Sequence, residues 1–264
     1  MGLVTNAAHI IEANAIDFRR TWRGRVISTF INPVLFLAGL GIALGTMVDA
    51  GGGSESIPIP YITFAATGLL AATAMQTGYG EGAWPVMAGI KWRKTFDAVL
   101  VTPLSVGDLV SGKLIWGGIH LAITLGIYAG IAVLFGAIEP LPALIALGPA
   151  VLCGLAFQAA SIAFTSQLEN ETGLTSVMRF GIMPMFLFSG TFFPVVQLPG
   201  WLEPIAAVTP LFHGVELVRK LALPEAAAPV VSTMPMWVHL AYLAILTAVS
   251  WVLAIRLLAR RLQA

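Results

Sequence analysis

The feature that most constrains this chain is a set of six apolar stretches, each close to the thickness of a bilayer in length. A hydrocarbon core of about 30 Å takes roughly 20 apolar residues as a helix. Such stretches run at about 26–48, 58–80, 114–137, 143–165, 180–195 and 236–257, the fifth being short by that measure. Composition agrees: 58% of residues are apolar, 10% are charged, and the mean hydropathy is +0.88. An ordinary soluble domain carries about 25% charged residues. The first stretch is not a cleavable signal, because it follows Arg19, Arg20, Arg23 and Arg25 and exceeds the apolar region of roughly 7–15 residues that signals use. The expectation is an all-α polytopic membrane protein with six transmembrane helices.

Lys and Arg concentrate in cytoplasmic segments. With the N-terminus inside, Arg19, Arg20, Arg23, Arg25, Lys91, Arg93, Lys94, Lys113, Arg179, Arg256, Arg260 and Arg261 all fall inside, and only Arg219 and Lys220 fall outside. Both termini are therefore expected in the cytoplasm. A seventh span over 198–223 would reverse the terminal arginines and would have to accommodate Pro199, Pro204 and Pro210, which break helices. A re-entrant helical hairpin at about 194–223, between spans five and six, fits better, and a helix lying flat on the outer surface is the competing arrangement. In it Thr209 is placed as an N-cap with Pro210 at the first helical position, and Glu216 with Lys220 forms an i,i+4 pair. Trp201 and His213 lie in the same segment. Glu203, Glu216, Arg219, Lys220 and Glu225 are its charged groups for recognition.

Residues 1–25 place Ile11, Ala15, Phe18 and Trp22 at helical spacing, with Glu12, Arg19, Arg20 and Arg23 on other faces. This pattern describes an amphipathic helix in the inner interface; a positively charged anchor that only fixes topology competes with it. The remaining 26–264 then form the transmembrane domain.

The six stretches carry no Asp, Glu, Lys or Arg except at their ends. Proton- or ion-coupled pumps place ionisable relays inside the membrane, so the energy for any transport is expected to come from elsewhere. His120 and His239 have no carboxylate within one helical turn in sequence, and hydrogen bonds to neighbouring helices are expected for both. His213 and Glu216, three residues apart, suit a local hydrogen bond better than a metal site, which needs three or four ligands. The single Cys153 excludes an intrachain disulfide and a cysteine metal cluster, and behaves as a small buried hydrophobe. Residues 107–114 match a phosphate-binding loop until the last position, where Leu114 replaces Ser or Thr and opens a membrane helix. No hydrolase or metalloprotease motif is present, so no catalytic residue and no metal ligand is assigned. A net charge of +1 gives no reason to expect nucleic acid.

Uncharged polar residues and glycines in the spans join helices. A weakly polar, aromatic path for an amphiphile is the functional alternative, with Asn32, Phe36, Gln76, Phe186, Ser189 and Phe192 as candidates; phenylalanines facing lipid would give the same pattern. The longest inner segment, 81–113, contains an amphipathic helix in which Phe96, Val99 and Leu100 lie beside Lys91, Arg93, Lys94 and Asp97 until Pro103 ends it. Such a helix is a docking element or a membrane-surface helix, and docking is favoured because an external energy source has to attach.

The basic amphipathic N-terminus, Thr95-Phe-Asp-Ala-Val-Leu-Val-Thr-Pro-Leu-Ser105, Leu187-Phe-Ser-Gly-Thr-Phe-Phe-Pro194, Leu198-Pro-Gly-Trp-Leu202 and Thr209-Pro-Leu-Phe-His-Gly-Val-Glu-Leu-Val-Arg219 together resemble the ABC-2 type permeases. The likeness is strongest to the branch of nodulation-factor and daunorubicin-type exporters, and it covers essentially the whole chain. The resemblance implies a half-transporter in a prokaryotic plasma membrane, with two permease copies, expected as a homodimer, above two separate ATPase subunits. ATP and magnesium would be bound by that partner and not by this chain, which has no ATPase site of its own. The family's coupling helix maps onto about 91–104, with Trp92, Phe96, Asp97, Leu100 and Pro103 assigned to coupling, and its outer hairpin onto about 194–223. Family permeases enclose a path between copies, lined chiefly by spans one, two and five, for lipid-linked glycans, lipo-oligosaccharides and hydrophobic drugs. A passive channel or facilitator without an ATPase, and a membrane anchor with no path, remain the alternatives from other classes.

Overall fold

The computed structural model describes residues 10–12, 14–16, 18–19, 31, 33–39 and 57–263, and the side chains of Leu100 and Gln263 are not among the features described. All regular structure in these residues is helical. Helix α1 spans Tyr61–Met87, α2 Thr95–Leu100, α3 Val106–Leu134, α4 Pro140–Thr165, α5 Thr172–Phe188, α6 Glu203–Val208, α7 Pro210–Ala222 and α8 Met236–Gln263. Three of them, at Val106–Leu134, Pro140–Thr165 and Met236–Leu262, are long and apolar enough to cross a bilayer. The stretch expected at 26–48, together with Asn32 and Trp22, lies outside the described residues apart from 31 and 33–39.

Local chemistry sets the boundaries. Ser105 caps α3: its hydroxyl accepts from the Asp108 amide at 3.1 Å, and the Asp108 carboxylate accepts from the Ser105 amide at 3.0 Å, a reciprocal capping box. The same helix stops at Gly136, whose φ of +66° is the left-handed conformation glycine adopts without Cβ strain. There the Ala137 amide reaches back to the Ala132 carbonyl and Gly136 to Val133, as in a Schellman cap. Residues 107–114 are thus the first turns of a capped helix and not a phosphate loop.

Helix α4 is the hub, packing on α1, α8, α7 and α3. Its crossing with α1 is close because Gly78 meets the Gly154 backbone and Gly82 meets the Gln158 backbone; a Cβ at either position would overlap main chain. Ser161 locks the crossing by donating to the Tyr79 carbonyl at 3.1 Å, while Tyr79 donates to the Leu174 carbonyl of α5 at 2.6 Å and Gln158 to the Lys113 carbonyl of α3 at 2.9 Å. This is the small-residue and hydrogen-bond glue of helices in lipid.

Two helices run past their expected ends. α1 continues to Met87 and through a π turn at Ala88–Trp92, and α3 starts at Val106. Glu81, Asp108 and Lys113 therefore sit within long helices and not in a loop. The reason is that a helix continues while its backbone hydrogen bonds and caps permit, irrespective of hydropathy. The fifth stretch, expected from 180, begins at Thr172, passes through a π turn at Met178–Ile182 and ends at Phe188. Near the N-terminus, Phe18 packs edge-on to Trp116 and His120, and Lys113 donates to Asn14 at 2.7 Å. Ala15, expected on the apolar face, is exposed.

Candidate functional site

Three groups of sequence-selected residues come out in very different settings. The first is the loop helix α2. Behind Pro85, α1 closes in its π turn, Lys94 takes a left-handed φ of +49°, and α2 starts at Thr95. The reversal drives the Phe96 ring against Gly89, where a Cβ would overlap it, and into a cluster with Val86, Leu109, Val110, Ile162, Ala254 and Leu258. Phe96 is 3% exposed, so it anchors the loop to its own bundle and offers nothing to an outside surface. What faces outward is Trp92 (57% exposed), Asp97, Val101 (88%) and Pro103. Val101 was not among the expected contact residues; its place after Leu100 in an apolar run was the available signal.

The second group is aromatic. Phe36 lies edge-on to Phe186 with ring centroids 6.3 Å apart, and Phe186 lies edge-on to Phe192 at 5.0 Å. Three of the six path candidates thus form one row joining the first stretch to the end of α5. Gln76 is half-buried in α1, and Ser189 is fully buried, its hydroxyl 2.8 Å from that of Thr209. Ser189 therefore ties the end of α5 to the cap of α7.

The third group is the segment after α5. Gly190, with φ +91°, breaks the chain direction. Thr209 caps α7 as expected, accepting from the Phe212 amide at 3.3 Å, with Pro210 in the first turn. At 13 residues and about 1.5 Å per residue, α7 is too short to cross a bilayer. Its interactions differ from those expected. Glu216 and Lys220 do not pair directly; they grip the backbone on the two sides of Ser232, Glu216 accepting from the Ser232 amide at 2.6 Å and Lys220 donating to the Ser232 carbonyl at 2.6 Å. His213 turns away from Glu216 and meets His239 of α8, Nδ1 to Nδ1 at 2.8 Å, with Tyr242 stacked on it at 3.9 Å. Both changes arise because α7 is packed on α1, α4 and α8, so tertiary partners replace those one turn away.

Arg219 is the residue that the sequence placed wrongly as a surface recognition group. It is fully buried, donating from Nη2 to the Gly190 carbonyl at 2.6 Å, with its guanidinium 3.7 Å above the Phe64 ring. Burial draws this guanidinium down to about 10, opposed by Glu216 and Tyr61, which leaves it charged at neutral pH. Burial likewise pushes the Glu216 carboxyl above its ordinary value, against the pull of Arg219, the Ser232 amide and Lys220. Of the charged groups first assigned to recognition here, Glu203 and Glu225 are exposed, as is Trp201.

The histidines find partners on other elements. His120 of α3 lies 3.0 Å from a Glu81 carboxylate oxygen of α1, a pair that sequence distance conceals. Among the described residues no group of three His, Cys, Asp or Glu is placed to hold a metal ion.

Comparison with known proteins is consistent with these features. The family model for the ABC-2 type transporter matches residues 7–223. Nodulation protein J of Rhizobium leguminosarum bv. viciae is 30% identical over 251 residues, covering 95% of this chain and 92% of that protein. Nodulation protein J of Rhizobium meliloti (strain 1021) is 28% identical over 250 residues, at 95% and 91% coverage. That of Sinorhizobium fredii (strain NBRC 101917 / NGR234) is 28% identical over 266 residues, at 97% of each.

Proposed function

The chain belongs to the ABC-2 type transporter family, and on that premise we propose that it is the permease of an exporter driven by a separate ATPase. It moves an amphiphile outward, of the class of lipid-linked glycans, lipo-oligosaccharides or hydrophobic drugs. In this reading six spans run at about the positions expected, residues 1–25 lie at the inner interface, the segment at about 194–223 forms an outer re-entrant hairpin, and both termini face the cytoplasm of a prokaryotic cell. Two copies pair above two ATPase subunits, which bind ATP and magnesium.

The observation that carries the reading is the construction of α2. A six-residue helix held by buried Phe96 and partly buried Val99, and flanked by Trp92, Val101 and Pro103 that form an exposed row with its Asp97, has too little internal support to be there for its own stability. Force applied to that row reaches Gly89 through the Phe96 ring, and so reaches α1, α3, α4 and α8 together. Nucleotide shifts the assembly only through a difference in affinity for its two conformations. The spans then move as bodies, and the row Phe36, Phe186 and Phe192 lines the path that opens between copies.

Purification of the tagged protein in mild detergent, with identification of co-purifying chains and an ATPase assay, tests this. A stoichiometric ATPase with vanadate-sensitive hydrolysis is expected, and Trp92→Asp with Val101→Asp is expected to release it while the permease stays folded. Repeated recovery of the permease alone, together with substrate movement that needs no nucleotide, would replace the proposal by the facilitator reading.

A further inference from the structure

At the end of the bundle that carries most of the basic residues, an open cleft of about 360 Å³ lies between the π turn of α1, the α4–α5 loop and the last turns of α8. Lys91 comes from the first, Ser166 and Glu169 from the second, Leu257, Arg260 and Arg261 from the third. Arg261 holds the loop in place: its Nη1 donates to the Ser166 carbonyl at 3.0 Å and to that of Leu168. Lys91 and Arg260 have no such use; neither makes a hydrogen bond or ion pair with another described residue. Three cations thus converge on one opening against a single carboxylate, Glu169, with two of the cations uncompensated.

The cleft is not isolated from the lipid-facing surface. Leu257 on its wall is the last member of an i,i+4 row on α8 that continues through Leu253, Val249 and Ile245, the latter three all exposed. That row covers about 18 Å at 1.5 Å per residue, roughly one leaflet of a core about 30 Å thick. A free anion would use the cations and leave the row bare. We propose that the cleft binds the phosphate headgroup of an anionic phospholipid, with an acyl chain lying along Leu253, Val249 and Ile245. Basic pockets between membrane helices on the cytoplasmic side suit such headgroups. Binding there would tie the end of α1, next to α2, to the end of α8, and it stands independently of the export reading.

Native mass spectrometry of the full chain in mild detergent, titrated with phosphatidylglycerol or with phosphatidylcholine of the same acyl chains, reads the site directly. Phosphatidylglycerol is expected to be retained in preference. Lys91→Gln with Arg260→Gln is expected to weaken it by about fivefold for each cation removed. Glu169→Gln is expected to strengthen it, a change of sign that loss of folding does not produce. Val249→Asn with Leu253→Asn weakens the lipid without altering any competition by inorganic phosphate. Equal retention of both lipids, or an undiminished preference in the folded double-Gln variant, overturns the proposal. So does full displacement of the lipid by inorganic phosphate, which would make the phosphate alone the ligand. A double-Gln variant that loses only the ATPase and keeps its lipid preference would assign the cleft to a protein partner instead.

Discussion

Helices α2 and α7 are both short and both turn back against the long helices, yet they are held in opposite ways. α2 touches the bundle through Phe96 and the partly buried Val99, and with the residues beside it shows Trp92, Asp97 and Val101 to its surroundings. Every residue of α7 from Leu211 to Arg219 is buried, including a histidine, a glutamate and an arginine. The first is an attachment whose outer face meets no packing partner among the described residues. The second is part of the core, and its polar side chains reach backbone and side chains on either side of it, with Nε and Nη1 of Arg219 left without a hydrogen-bond partner among the described residues. Opening the molecule near α7 therefore means either moving α7 with α1 and α4 as one body or breaking the Arg219 and Ser232 contacts, whereas α2 is free to be gripped without rearrangement.

The largest effect is expected where the comparison is sharpest. Arg219→Met strips the Gly190 carbonyl of its donor and leaves buried Glu216 with Lys220 as its one remaining cation among the described residues. Removing one member of a buried charged group costs about 3–5 kcal/mol. Thermal unfolding of the purified variant is expected to show a large loss, and Arg219→Lys to recover only part of it, because an ammonium lacks the planar fork. A variant of wild-type stability would mean that α7 is held by packing alone.

A smaller and more local effect is expected from Phe96→Leu. The ring fills the space against Gly89, and a branched aliphatic chain cannot reproduce its flat contact, at a cost of about 1.5 kcal/mol. Hydrogen exchange is expected to rise over 93–104 and to stay unchanged in α7. Faster exchange throughout α4 would show that α2 supports the bundle, which would weaken the contrast with α7.

Much of this was legible in the sequence because it is local. The cap at Thr209, the apolar lengths of α3, α4 and α8, and the amphipathic loop helix all depend on residues within a turn or two of one another; the capping box of Ser105 and Asp108 is as local, but hydropathy alone puts the start of that stretch at 114. What failed depends on which way an element faces. Phe96 lies on the apolar face of α2 as expected, but the π turn at Ala88–Trp92 and the left-handed Lys94 decide that this face points inward. Glu216 and Lys220 satisfy the spacing rule for an ion pair, and the backbone amide and carbonyl of Ser232, brought close by the approach to α8, take one each. Arg219 was counted among exposed bases because the charge rule counts residues without asking which face they occupy; its place three residues after Glu216, on a helix of buried apolar residues, was the only hint.

The smallest effect concerns pH and again separates the two helices. Burial holds His213 below the ordinary histidine value of 6.5, so below that pH the unfolded chain binds more protons than the folded one. By linkage, stability then falls as the pH drops through the window beneath 6.5. Geometry gives the same sign: with Nδ1 atoms 2.8 Å apart, His213 and His239 need one ring nitrogen to accept, and two imidazolium rings would set N–H against N–H. Lys220 adds positive charge on the same side, and Tyr242 and Phe212 offer no anion. Loss of one hydrogen bond of about 1 kcal/mol corresponds to about 2–4 °C in Tm for a chain of this size. A His213→Gln variant is expected to flatten that dependence, and the protection of α2, which carries no histidine, measured relative to the intrinsic exchange rate at each pH, is expected to stay constant between pH 7 and 5. Equal pH sensitivity in the variant would show that the effect does not originate in the His213–His239 contact.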